Sequence, residues 1–92
     1  MFNEKFLPIG SIVLIKGAKK KVMIMGYFPV YQDLRYDYSA CAYPCGMISS
    51  KEIICFNGDN IELVYSYGYK NDEYESLRNK VIEKLEGESN DR

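Results

Sequence analysis

The first regular feature of the hydropathy pattern is a pair of short apolar runs separated by a polar connection. The runs cover residues 11–16 and 21–27, are rich in isoleucine, valine and methionine, and flank Gly17-Ala18-Lys19-Lys20. Apolar runs of this length around a glycine-containing connection predict a β-hairpin. Neither run alternates cleanly with polar residues, so both faces of each strand are apolar and need to be covered. We therefore expect this hairpin to lie centrally in a sheet, or to curl so that both faces are packed.

The middle of the chain predicts further strands separated by turns. Residues 28–37 show no strand alternation and contain Pro29, which indicates a loop that leaves the sheet. Strands are predicted over residues 38–43, 53–56 and 64–69. The last of these alternates, with Tyr65, Tyr67 and Tyr69 on one face. Before it, the spacing of Asp59 and Glu62 is that of a capping box and predicts a one-turn helix over residues 60–63.

From Asn71 the period changes to that of an amphipathic helix. Apolar residues recur three and four positions apart on an otherwise charged segment, at Tyr74, Leu77, Val81 and Leu85, with Ile82 beside them. Asn71 or Asp72 is the expected N-cap, and Gly87 is expected to end the helix.

These elements predict one α+β domain over residues 1–92. A small, strongly twisted antiparallel sheet or open barrel of four or five strands carries one C-terminal helix packed on it. Residues 1–6 form a loose lead-in, residues 7–69 the sheet portion, residues 71–86 the helix and residues 87–92 a polar tail.

Charge and composition exclude several classes of function. The chain of 92 residues has a net charge of −1, which argues against a non-specific nucleic-acid binder. It has no apolar run long enough to span a membrane, and its start lacks the features of a signal peptide, so we expect a cytoplasmic protein. The absence of histidine removes the commonest general base and the commonest zinc ligand.

Candidate chemical groups have structural explanations at the sequence level. Cys41, Cys45 and Cys55 lack zinc-knuckle spacing and a fourth ligand, so we expect free thiols and no bound metal. No catalytic carboxylate pair, phosphate loop or dinucleotide fingerprint is present, and we expect neither a cofactor nor enzymatic activity. The lysines of residues 16–21 could contact phosphate or an acidic partner, but we favour a solvated hairpin tip, because no other basic cluster in the sequence supports a binding role.

Tyrosine is the residue type that points to function. The chain has nine tyrosines, more than a core of this size needs to hide, and tyrosine is enriched at protein interfaces. The alternative is that the row on the last strand packs under the helix with its hydroxyls in water. The candidate partner-binding residues are Tyr65, Tyr67 and Tyr69, together with Tyr36, Tyr38 and Tyr43.

An ordered set of motifs resembles a known family over residues 7–85. They are Leu7-Pro8-Ile9-Gly10-Ser11-Ile12-Val13-Leu14-Ile15-Lys16-Gly17, Lys20-Lys21-Val22-Met23-Ile24-Met25-Gly26, Tyr36-Asp37-Tyr38, Tyr43-Pro44-x-Gly46, Phe56-Asn57, Ile61-x-x-Val64-Tyr65 and Gly68-Tyr69. In this order they resemble small Firmicute proteins grouped as domain of unknown function 4176. Cys45 departs from the family, which more often has a charged residue there.

The resemblance implies that the gene lies beside type VII secretion loci that encode LXG-type toxins. It implies a cytosolic accessory protein that acts as a chaperone or targeting factor for such a toxin. An immunity protein that neutralises a cognate toxin is one alternative. A small barrel that binds nucleic acid is another, and the acidic balance disfavours it.

Overall fold

The computed structural model describes residues 6–47, 49 and 52–90, with residues 85–90 described by their backbone alone. Within these ranges the order of elements is seven strands, a short 3-10 turn before the last strand, and one helix. The strands are β1 (Ile12–Ile15), β2 (Val22–Tyr27), β3 (Val30–Tyr31), β4 (Leu34–Arg35), β5 (Tyr38–Ala42), β6 (Ile54–Phe56) and β7 (Ile61–Ser66), the 3-10 turn is Gly58–Asn60, and the helix is α1 (Asp72–Asn90).

Five of the strands form one antiparallel sheet in the order β6-β5-β2-β1-β7. The apolar hairpin β1–β2 occupies two inner positions, as its doubly apolar pattern predicts. The sheet is open and does not close into a barrel. The predicted fold class, an α+β domain with a small antiparallel sheet and one C-terminal helix, is confirmed.

The core lies on one face of this sheet. Val13 pairs with Val22, and Ile24 pairs with Ala40, so that four buried residues from three strands meet. Phe56, Tyr38 and Leu7 extend this buried cluster. The N-terminal segment crosses the end of the cluster, where the Phe6 ring stacks on Tyr27 at 4.3 Å between centroids. Phe6 is buried, so the predicted loose lead-in does not include it, and residues 1–5 lie outside the described residues.

Strand β7 contains two bulges where it pairs with β1, and as a result every third residue of β7 faces the core. Val13 and Ile12 pair with Val64 and Ser66, which leaves Tyr65 as an extra residue. A second register shift leaves Glu62 extra in the same way. An extra residue in one strand bends that strand and re-aims its side chains. Accordingly each core-facing residue of β7, Ile61 and Val64, is followed by two exposed ones.

The bulges correct the predicted alternation over residues 64–69. The last strand begins at Ile61 and ends at Ser66, so that Tyr67 and Tyr69 lie beyond the ladder. The predicted one-turn helix at 60–63 is also wrong. A 3-10 turn over Gly58–Asn60 takes its place, and its capping box joins Asn57 to Asn60.

Residues 28–37 form a small β-hairpin where the sequence predicts a loop. Val30 pairs with Arg35 and Tyr31 with Leu34, around a two-residue turn at Gln32 and Asp33. Both turn residues have positive φ, at 52° and 68°, as the turns that match the twist of a two-residue hairpin require. The prediction fails because strands of two residues are too short to show a period.

Helix α1 begins where the sequence predicts and runs further. The Tyr74 main-chain N–H donates to Asn71 Oδ1 at 3.0 Å, which makes Asn71 the N-cap. The helix continues through Gly87 to Asn90, because one glycine inside a helix costs only about 1 kcal/mol. Its first turn joins the domain through Tyr74, whose hydroxyl donates to the Phe6 carbonyl and whose ring stacks on Phe6. In the predicted stripe, Leu77 is exposed, and the Leu85 side chain lies outside the described residues.

Candidate partner-binding surface

Three tyrosines at the end of the sheet are exposed to solvent. Tyr65 lies on β7, and Tyr67 and Tyr69 follow it in the connection to α1. Their side chains are 50 %, 56 % and 81 % exposed, respectively. They do not pack under the helix, which was the alternative arrangement for this row. We call these three residues the tyrosine surface.

Gly68 fixes the segment that carries Tyr67 and Tyr69. A Cβ atom at this position would lie 1.9 Å from the Ile9 carbonyl oxygen and 2.8 Å from the carbonyl carbon, so only glycine allows the two backbones to approach this closely. The Gly68 N–H donates to Ser11 Oγ at 3.1 Å, and the Ser11 hydroxyl donates to the Pro8 carbonyl at 2.7 Å. The segment is therefore held in place by partly buried contacts at Gly68, while the tyrosines on either side are exposed.

Lysine ammonium groups lie over two of these rings. Lys21 Nζ is 4.7 Å from the centroid of Tyr65, and Lys70 Nζ is 4.5 Å from that of Tyr67. A cation over the face of a tyrosine is attracted by the ring quadrupole, at about 0.5–1 kcal/mol on an exposed surface. These contacts orient both rings and add positive charge to the tyrosine surface.

Tyr43 adjoins the same face of the sheet. Its main-chain N–H donates to the Lys21 carbonyl at 3.0 Å, which extends the β2–β5 pairing by one residue. Residues opposite each other in an antiparallel pair share a face, so Tyr43 and Lys21 point the same way. Tyr43 is 45 % exposed. Lys21 thus links two of the predicted interface tyrosines, Tyr43 and Tyr65.

Tyr38 belongs to the core, which removes it from the predicted partner-binding residues. It is only 2 % exposed, packs against Phe56 at 5.5 Å between centroids, and its hydroxyl accepts a hydrogen bond from the Leu7 N–H at 3.2 Å. Burial raises the pKa of Tyr38 to about 12. Tyr36 is half-buried at the base of the β3–β4 hairpin, where its N–H donates to the Pro29 carbonyl.

The β3–β4 hairpin carries a second exposed apolar surface, which lies outside the predicted partner-binding residues. Val30, Tyr31 and Leu34 are all more than half exposed, and the Arg35 guanidinium lies 5.5 Å from the Phe28 centroid. A sequence signal for this hairpin does exist. The polar pair Gln32-Asp33 lies between two dipeptides, and each dipeptide contains an apolar residue.

The three cysteines differ in their exposure. Cys41 is buried, Cys55 half-buried and Cys45 exposed, all as free thiols. Within the described ranges, no three His, Cys, Asp or Glu residues lie close enough together to hold a metal ion. In the same part of the chain, no helix is long and apolar enough to span a membrane.

Comparison with known proteins gives one match. A family model described as Domain of unknown function (DUF4176) matches residues 6–77. That range includes the whole sheet, the tyrosine surface and the first turn of α1. No curated protein and no solved structure matches the chain.

Proposed function

The chain belongs to the DUF4176 family, and from that premise we propose that it is a non-enzymatic accessory protein that binds another protein. The partner is an LXG-type toxin of a type VII secretion system, held in the cytoplasm of the producing cell before export. The role is that of a chaperone or targeting factor. The toxin as partner follows from the family resemblance, and the mode of binding follows from the surface.

The exposure of Tyr65, Tyr67 and Tyr69 is the observation that supports binding. Three large rings of one short segment are half or more in water, and exposed tyrosines of this kind anchor protein interfaces. The backbone of Tyr65 is held in β7 and that of Tyr67 and Tyr69 by the contacts at Gly68, which lowers the backbone ordering cost of binding. A rigid aromatic surface favours the recognition of a protein over the turnover of a small molecule.

Co-production with the LXG toxin encoded beside this gene tests the proposal. We expect an equimolar complex that survives affinity capture and size-exclusion chromatography. The variant that combines Tyr65→Ser, Tyr67→Ser and Tyr69→Ser should lose the toxin, whereas Tyr31→Ser on the β3–β4 hairpin should retain it. No complex with any toxin encoded at the locus would refute the proposal.

A deletion strain separates the chaperone role from that of an immunity protein. Loss of toxin export with normal growth supports the chaperone or targeting role. Self-intoxication with normal export would assign the protein to immunity instead. Retention of RNA or DNA that weakens with added salt would point to the nucleic-acid alternative, which the net charge of −1 disfavours.

A further inference from the structure

The face of the sheet opposite the core is apolar at its centre. Ile12 pairs with Met23, and Leu14 pairs with Leu63, so these four side chains lie together. Tyr65 lies on the same side, because Lys21, which lies over its ring, precedes the core residue Val22 and therefore faces away from the core. Ile12, Leu14 and Met23 are half-buried, and Leu63 is 50 % exposed. We call these five residues the outer face. It spans three neighbouring strands, β2, β1 and β7.

We infer that the outer face receives an amphipathic α-helix of the partner, with acidic residues at the end that lies over the β1–β2 connection. This inference rests on the proposed function and specifies the kind of segment that the protein would bind. The width of the outer face supports a helix, because neighbouring strands lie about 4.8 Å apart and three strands therefore span about 10 Å, close to the diameter of an α-helix.

The length of the outer face sets how much helix it would contact. β1 has four residues, or roughly 13 Å of extended chain. A helix rises about 1.5 Å per residue, so about nine residues would cover that length. Apolar anchors spaced i, i+3 or i+4, and i+7 would then meet the outer face, as when an amphipathic helix lies in a groove.

The charge around the β1–β2 connection predicts the acidic residues of the partner helix. The chain carries four lysines and no acidic residue between Ser11 and Gln32, and all four lie at or beside the β1–β2 connection. Lys16 directly follows β1, and Lys21 directly precedes β2 and covers Tyr65. The Lys16 N–H donates to the Asn60 carbonyl at 2.7 Å, so Asp59 and Glu62 lie near this end of the sheet and offset part of the charge of the four lysines. The net positive end favours acidic residues on the incoming helix and an affinity that falls with added salt.

The edges of the sheet are less suited to adding a strand from the partner. β6 has three residues, and β7 contains two register shifts that interrupt a regular ladder. Short edge strands and bulges are the devices by which sheets avoid pairing with other chains. These observations favour a helix on the outer face over a strand at either edge.

The inference is tested by measuring the binding of the co-produced toxin to variants at two exposed leucines, one on the outer face and one away from it. Leu63→Glu changes the outer face, and Leu34→Glu makes the same change on the β3–β4 hairpin, where Leu34 is 61 % exposed. We expect Leu63→Glu to weaken toxin binding at least 10-fold and Leu34→Glu to leave it unchanged. Lys21→Glu should weaken binding and reduce its salt dependence, while Lys80→Glu, on an exposed position of α1, should do neither.

Hydrogen exchange of the complex then identifies the segment of the toxin that is protected, and the same segment is made as a peptide. A peptide that becomes helical on binding, by circular dichroism, and that competes with the toxin supports the inference.

Three results would overturn the inference while leaving the proposed function intact. They are an extended peptide that protects the amides of β7, equal affinities for both leucine variants, and loss of binding by Leu34→Glu alone. A second copy of this chain on the outer face, detected by sedimentation, would also overturn it. Absence of any toxin complex would refute both proposals.

Discussion

The close backbone contact at Gly68 makes the replacement of Gly68 by alanine the most sensitive test of how the tyrosine surface is built. The added Cβ would lie 1.9 Å from the Ile9 carbonyl oxygen, which is more than 1 Å inside any normal contact. The neighbouring atoms are main chain on both sides, so no side-chain rotation can relieve the overlap. Either residues 67–69 or residues 8–11 must move.

The expected cost has two parts. Overpacking a well-packed site costs about 1–3 kcal/mol, and a clash between two backbones belongs at the upper end of that range. Movement of residues 67–69 also breaks the hydrogen bond from the Gly68 N–H to Ser11 Oγ, and leaving a buried polar group without a partner costs about 1–3 kcal/mol. Together we expect a loss of about 3 kcal/mol or more, out of roughly 5–14 kcal/mol for a domain of 92 residues.

Urea unfolding followed by far-ultraviolet circular dichroism measures this loss. A decrease of 3 kcal/mol lowers the midpoint by about 2 M urea when the unfolding slope is near 1.5 kcal/mol per molar. Gly58→Ala is the matched control, because a Cβ there would lie 3.5 Å from Asp37 Oδ2 and 3.8 Å from the Tyr38 ring, both ordinary contacts. Its free energy of unfolding should stay within about 1 kcal/mol of the wild type.

A second variant covers the case in which Gly68→Ala does not fold. Ser11→Ala removes the acceptor for the Gly68 N–H without adding an atom, and should lower the free energy of unfolding by about 1–3 kcal/mol. It should also weaken toxin binding, because the segment between Tyr67 and Tyr69 is no longer fixed. Equal stability of Gly68→Ala and Gly58→Ala would refute the close backbone approach, and with it our explanation of how the tyrosines are held.

Three further predictions concern the core and the helix. Tyr38→Phe removes the acceptor for the Leu7 N–H and should cost about 1–2 kcal/mol by urea unfolding, since that N–H then stays buried without a partner. Stability should fall as the pH rises from about 10 to 12, by up to about 3 kcal/mol for Tyr38, because the unfolded chain loses its phenol proton near pH 10 while burial raises the pKa of the folded residue to about 12. Burial also raises the pKa of Tyr27, which adds to this loss, and Tyr38→Phe should make the pH dependence shallower. Asn71→Ala should cost about 1 kcal/mol by removing the cap on the Tyr74 N–H, and Asn71→Asp should largely restore it; equal stabilities of the two variants would contradict the capping role.

The inner part of the sheet could be predicted from the sequence because its signal is strong and local. Apolar residues on both faces of residues 11–16 and 21–27 predict inner strands, and β1 and β2 do occupy inner positions of the sheet, with one face toward the core and the other forming the outer face. The beginning of α1 was equally readable, since Asn71 combines a capping side chain with the start of a helical period. Its end was not, because a single glycine inside a long helix costs too little to stop it.

The geometry of β7 depends on its neighbour and could not be read from its own pattern. The alternation of Tyr65, Tyr67 and Tyr69 suggests one continuous strand face, but bulges are set by the pairing with β1, and the ladder ends at Ser66. The exposure of these tyrosines was left open by the sequence for the same reason. Tyr38 shows the opposite case, since only its pairing with Phe56 reveals that it faces the core.

The β3–β4 hairpin escaped prediction because its stability comes from contacts that have no sequence period. The Phe28 N–H donates to the Asp37 carbonyl, and the Tyr36 N–H donates to the Pro29 carbonyl, which closes the base of the hairpin. Its turn uses two residues with positive φ, neither of which is glycine. The sequence therefore lacks the glycine-containing pair that usually marks such a turn.

The affinity of the purified protein for the LXG toxin that we propose as its partner tests the central claim most directly. Isothermal titration should compare the wild type with the variant that carries Tyr65→Ser, Tyr67→Ser and Tyr69→Ser, and with Tyr31→Ser as the control. We predict a dissociation constant about 100-fold higher for the triple variant and unchanged for the control. Equal affinity of the triple variant and the wild type, with both folded, would contradict the claim that the tyrosine surface binds the toxin.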